Sequence, residues 1–248
     1  MKLIKETLCK TNRTIIDADV SPQMTAVLVK EKGENIVTVN GNDAFSVSTD
    51  FYMIRILDDS LAIYDGKKIS FFTVDGKCIQ EVAVGEYLFD MIPMRSSVIC
   101  TYRDQGVYGH QLGEQRIVVV DKNGNVASYQ DFAIRHELDF DICFARVKPY
   151  ACLSTETNTI VQFTEDFTVQ KTLPCPFNTA DLISFSYHFP YYLFIENDKC
   201  IYFHINGTYE VINHSFSYNV RSNYHRGPVF LEILEREVMG YYFTEDEF

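Results

Sequence analysis

The residues of this chain best suited to chemistry are carboxylates. Asp17, Asp19, Asp50, Asp90, Asp139, Asp141 and Asp181 recur along the 248 residues near the start of β-rich runs, and Asn219 holds the corresponding place near the end. If those runs are the inner strands of a repeating fold, the side chains form an acidic ring at a channel mouth. Hard oxygen ligands of this kind would hold a divalent cation such as Ca²⁺, with Asp19, Asp90, Asp141 and Asp181 as ligands. Alternatively the ring would receive a lysine or arginine from a partner. The competing reading is local: an Asp at a loop-to-strand turn bonds the backbone two residues on.

A second candidate is the stretch Tyr102-Arg103-Asp104-Gln105-Gly106-Val107-Tyr108-Gly109-His110-Gln111-Leu112-Gly113-Glu114, inserted between two strand-like runs. A loop of this length in a compact repeat is a site for recognition, and its glycines allow backbone turns closed to other residues. Tyr102, Arg103, Asp104, Tyr108 and His110 are its candidate binding residues, offering a carboxylate, amphipathic rings and a titratable imidazole. The alternative is a loop that merely covers its neighbours.

The elements that must position these residues follow from a repeat. Short β-rich runs precede turn signals again and again: Ile36–Val39 before Asn40-Gly41, Ile69–Val74 before Asp75-Gly76, Ile117–Val120 before Asp121-Lys122-Asn123-Gly124, Ile160–Phe163 before Thr164-Glu165-Asp166, and Cys200–Ile205 before Asn206-Gly207. Each is followed by another short run, which is a hairpin signal. The turns lie about 40 residues apart, the spacing of four-stranded propeller blades, with the longest interval across the insertion. Five blades are visible, and residues 217–243 supply three strands of a sixth. Residues 2–8 would supply its missing outer strand and close the ring, removing an open edge. The expected architecture is therefore an all-β, six-bladed propeller occupying residues 1–248 as one domain, with five or seven blades as alternatives and a β-sandwich as the competing fold. Little helix is expected; 231–237 has a weak helical pattern that its β-rich neighbours argue against.

Composition agrees. There are 19 Phe and 16 Tyr but no Trp, and 14% aromatics favours pleated, half-buried surfaces. The dense aromatic segment from Phe185 to Phe203 reads as packing between blades, with stacking on sugars or bases as the alternative. A net charge of −12 argues against nucleic acid and anionic membranes and in favour of a basic protein partner. Seven scattered cysteines with no C-x-x-C pair suggest free thiols in a reducing compartment, and the polar N-terminus lacks a signal-peptide core, so a cytoplasmic location is expected. Nucleophile-elbow, zinc-helix, P-loop and dinucleotide motifs are absent, and the six histidines lie far apart.

The run Tyr102-Arg103-Asp104-Gln105-Gly106-Val107-Tyr108-Gly109, followed by Arg116-Ile117-Val118-Val119-Val120-Asp121-Lys122-Asn123-Gly124-Asn125, resembles a pattern in a loose set of uncharacterised bacterial propeller-like proteins. These read approximately Tyr-Phe-Asp-Glu-Gly-Val-Phe-Gly and then Gly-Leu-Val-x-Phe-Asp-x-x-Gly. Asp141-Ile142-Cys143-Phe144-Ala145-Arg146-Val147 is similar to their Asp-Cys-Tyr-Ala-Leu-Asn-Val. The resemblance implies a propeller and a bacterial source, and no activity; Gln105 stands where the pattern has a second carboxylate. Together these readings predict a non-catalytic propeller that recognises a protein through an acidic face, for instance an immunity- or antitoxin-like inhibitor of a basic partner. The alternatives are a Ca²⁺-dependent hydrolase or lactonase and a carbohydrate-binding propeller.

Overall fold

The computed structural model describes residues 2–47, 50–109, 112–147, 149–217 and 219–244. These form six four-stranded antiparallel sheets arranged as the blades of a propeller. The inner strands of blades 1 to 6 are Thr14–Val20, Met53–Ile56, Leu88–Met94, Phe144–Arg146, Ser184–His188 and Val220–Ser222. Within blades 1 to 5 the order in space is the order in sequence. In blade 6 the outermost strand is Lys2–Lys10, which pairs antiparallel with Glu237–Thr244, from Lys2 opposite Thr244 to Lys10 opposite Glu237. The ring is thus closed by joining the two ends of the described chain.

The turns expected from the sequence lie between the third and fourth strands of blades 1 to 5. In the first, Asn40 and Gly41 both take positive φ, 50° and 80°, the left-handed pair that a tight hairpin requires and that Asn-Gly supplies at low cost. Each inner and second strand is buried on both faces. Ser60–Tyr64 is buried throughout, whereas the outer strand Cys78–Ala83 is mostly exposed. That gradient explains why the middle runs read as continuous Val, Ile and Phe rather than as alternating apolar and polar residues.

The apolar side chains partition into six clusters, one at each blade–blade interface. Fully burying each Val, Leu, Ile or Phe contributes about 1.5–3 kcal/mol. The aromatic segment belongs to this packing: Phe185, Tyr192, Phe194, Tyr202 and Phe203 are buried between blades 4, 5 and 6. Only Phe189, at the tip of its hairpin, is strongly exposed, at 71%. Short helices that periodicity could not reveal lie beside blade 3, at Asp104–Val107, Leu112–Gln115 and Gln130–Arg135; each is too short to show a helical repeat. No helix among the described residues is long and apolar enough to cross a membrane. All seven cysteines are free thiols.

Candidate functional site

All six inner strands contribute to a central cavity of about 590 Å³. Its lining comes from the starts of those strands and from the turn after Phe230–Ile233, so it opens on the face that carries the loops between second and third strands. The insertion of blade 3 is one of those loops. The walls are mixed: Met53, Phe89, Phe144, Leu182, Ile183 and Val220 are apolar, whereas Thr14, Ser184, Asn219 and Ser222 are polar.

The floor is a buried ion network centred on Arg55, which is only 2% exposed. Its Nη1 donates to Asp17 Oδ2 at 2.6 Å and to the Ile54 carbonyl at 2.7 Å, its Nε donates to the Met91 carbonyl at 2.7 Å, and its Nη2 donates to Asp90 Oδ1. Asp17 and Asp19 also accept the backbone N–H groups of Ile54 and Ile56 at 2.9 and 2.8 Å, tying blade 1 to blade 2. From blade 6, Arg221 Nη2 lies 3.4 Å from Asp19 Oδ1 and donates to the Ala18 carbonyl. His225 Nε2 lies 3.0 Å from Asp19 Oδ2. Tyr224 crosses to the opposite side of the ring, where its hydroxyl donates to Asp90 Oδ2 at 2.7 Å. The network therefore closes the channel beneath the cavity.

Two β-bulges aim the acids inward. The inner strands of blades 1 and 3 shift register between Ile15 and Asp17 and between Leu88 and Asp90. The extra residues, Ile16 and Phe89, line the cavity, and the bulge turns the following carboxylate toward Arg55. Burial alone would push the Asp19 carboxyl up. The hydrogen bond and charge of His225, with the charges of Arg221 and Arg55, outweigh it and hold Asp19 well below the usual carboxylate range. Burial would likewise weaken the charge on Arg55, but Asp90, Asp17 and Asp19 more than offset it. Tyr224 is raised well above the ordinary phenol value by burial and by its charged partner Asp90.

Of the carboxylates singled out as metal ligands, Asp19 and Asp90 enter this network, while Asp141 and Asp181 are exposed and do not line the cavity. Asp50 is exposed and paired with Lys30 at 2.8 Å. Asn219 does line the cavity. Among the described residues, no three His, Cys, Asp or Glu are grouped so as to hold a metal ion. The cation that the acidic ring was expected to take from a partner is supplied by the protein itself, as Arg55. Sequence reading passed over Arg55, Arg221, Tyr224 and His225. The available signal was one charged residue inside the otherwise apolar Met53-Ile54-Arg55-Ile56.

The insertion sits on the rim. Tyr102 is buried, its hydroxyl donating to the Val84 carbonyl at 2.9 Å, so it anchors the loop from below. Arg103 and Asp104 are exposed. Tyr108 is 63% exposed and donates to Asp139 Oδ2 at 2.7 Å, and Arg116 Nε holds the other oxygen of that carboxylate at 2.9 Å. His110 lies outside the described residues. Gly113 packs so closely that a Cβ there would lie 2.3 Å from the Gly106 carbonyl oxygen. Three more large side chains stand exposed on the same face, Tyr52, Tyr87 and Phe140. Desolvation pushes the neighbouring Asp141 carboxyl up, Arg103 opposes this, and Asp104 adds to it.

No family model matches the chain, and no curated protein matches it in sequence. Its fold is similar to that of several solved propellers. Virginiamycin B lyase from Staphylococcus aureus superposes with a TM-score of 0.58 at 11% identity, over 99% of this chain and 90% of that one. The protein BBS1N, solved in complex with ARL6DN, gives 0.53 at 9% identity over 87% and 74%. The WD40 domain of Neurospora crassa Pan2 gives 0.50 at 11% identity over 85% and 69%. At these identities the likeness establishes the propeller fold alone.

Proposed function

We propose that this chain is a non-catalytic recognition propeller that engages a basic protein partner through the face on which the cavity opens. The observation that carries this reading is the rim of blade 3 and the loop after it, where Tyr87, Tyr108 and Phe140 are exposed beside Asp104, Asp139 and Asp141. Exposed tyrosines supply contact area at low entropic cost, and surrounding carboxylates steer a positively charged surface toward them. The net charge of −12 acts in the same direction over longer range. Both enzymes and protein-binding modules occur on this fold: one similar propeller is a lyase and another was solved with a protein bound. Binding is favoured here over metal-assisted hydrolysis because the oxygens of Asp19 and Asp90 are already committed to Arg55, His225 and Tyr224. An immunity- or antitoxin-like inhibitor of a basic domain is one form this binding would take.

The test compares wild type with the double variant Asp104→Lys, Asp141→Lys, immobilised side by side after circular dichroism has confirmed that both are folded. A protein retained by wild type at low salt, lost from the variant and released from wild type as the salt rises would support the reading. Identical retention by the two proteins would refute it.

A further inference from the structure

The central cavity has the size and lining of a small-molecule site rather than of a packing defect. Its volume of about 590 Å³ falls in the range typical of ligand pockets, and an apolar patch of Met53, Phe89, Leu182 and Ile183 stands in a lining that also carries fixed polar groups. The polar groups define the ligand. Three carboxylates line the cavity, Asp17, Asp90 and Glu235, against two guanidinium groups, Arg55 and Arg221. Four of the five N–H groups of Arg55 are committed to Asp17, Asp90 and the Ile54 and Met91 carbonyls, and its charge is held between the two carboxylates.

Acceptor capacity remains on one carboxylate. Both oxygens of Asp90 are taken, one by Arg55 and the Met91 N–H and the other by Tyr224. Asp17 Oδ2 is taken by Arg55 and the Ile54 N–H. Asp17 Oδ1 faces Arg221 Nε at 3.4 Å, too long for a strong bond, and that nitrogen makes no hydrogen bond of its own. Asp17 Oδ1 is therefore a carboxylate oxygen of the cavity lining with lone pairs to spare. Phe89 and Tyr52, aromatic residues of the kind that attract a cation, also line the cavity.

We propose that the central cavity binds a small organic amine, with its ammonium on Asp17 Oδ1 and its hydrocarbon body against the wall formed by Met53, Phe89, Leu182 and Ile183. This inference stands apart from the rim's protein-binding role and does not depend on it. Phenylpropylamine, phenylpropanol and phenylpropionate present one hydrocarbon body with cationic, neutral and anionic heads. Isothermal titration calorimetry of each against wild type and against Leu182→Trp, which fills the cavity from a half-buried loop position, tests the proposal. The amine is expected to bind wild type at least about tenfold more tightly than the alcohol or the acid, and to lose that binding in Leu182→Trp. Failure of the amine to bind wild type would overturn the proposal, as would equal binding by Leu182→Trp. A carboxylate or alcohol that binds as well as the amine would overturn it too.

Discussion

Replacing Arg55 by Met keeps a side chain of comparable length and removes the one cation that joins Asp17 to Asp90. In the native protein Arg55 is 2% exposed and its partners are 6% and 9% exposed, so the variant leaves two largely buried carboxylates without the guanidinium that bridges them. Breaking a buried pair in this way costs about 3–5 kcal/mol, and in a chain of this size each kcal/mol lowers Tm by about 2–4 °C, so a loss of roughly 10 °C is expected. The pH response of wild type carries the sign of Asp19: its carboxyl is held below the unfolded carboxylate value, so its contribution is present above that value and is lost as the pH falls from there through the lower folded value. Adding Asp17→Asn and Asp90→Asn should recover much of the loss, because the penalty is uncompensated charge rather than lost volume. Urea and thermal denaturation followed by circular dichroism read all three effects. A variant within about 1 kcal/mol of wild type, or one that the two Asn substitutions fail to rescue, would refute the electrostatic account of the channel.

Three further outcomes are expected. Iodoacetamide should label Cys78 first in the native protein, because it is the exposed thiol, while burial pushes Cys143, Cys175 and Cys200 up to about 12; intact-mass spectrometry should show one fast adduct and all seven only after denaturation. Removing residues 2–10 should expose the edge of Glu237–Thr244 and strand Glu232, whose carboxyl is lowered despite its burial by Lys5, Ser217 and Tyr241; light scattering should show association, and an unchanged monomer of unchanged Tm would contradict the closure argument. Gly113→Ala should cost about 1–3 kcal/mol and displace the segment carrying Tyr108, because the new methyl group meets the backbone of Gly106; a urea midpoint equal to wild type would show that the loop is not held there.

The fold was legible because its signals are local and repeated. Asn40-Gly41, Asp75-Gly76 and Asn206-Gly207 each dictate a tight turn, and the runs beside them form strands in any context that buries both faces. The spacing of the turns then counts the blades, and the leftover runs at the two ends find each other as Lys2–Lys10 and Glu237–Thr244. The site was legible only in part. That acids near the starts of inner strands would converge was readable for Asp17, Asp19 and Asp90, but their facing depends on bulges at Ile16 and Phe89, and a one-residue shift in register carries no mark in the sequence. Asp50, Asp141 and Asp181 occupy similar sequence positions and remain exposed.

What the bulged acids do is set by a partner that no local pattern could assign. Arg55 is separated from Asp17 by 38 residues and from Asp90 by 35, close to one blade in each direction, so only the closed ring places its guanidinium between them. Tyr224, 134 residues from Asp90, arrives from across the channel. The arrangement has a physical consequence for function. An open ring of carboxylates would be a general cation trap, whereas a ring filled by an internal guanidinium presents a fixed floor with a single under-used oxygen on Asp17. In the two roles proposed for this face, the patch of Met53, Phe89, Leu182 and Ile183 would select by shape the body that fits above that oxygen, and the tyrosines and acids of the rim would select what docks over the mouth. The two levels can be separated by experiment, since Leu182→Trp fills the cavity without touching the rim and Asp104→Lys changes the rim without entering the cavity.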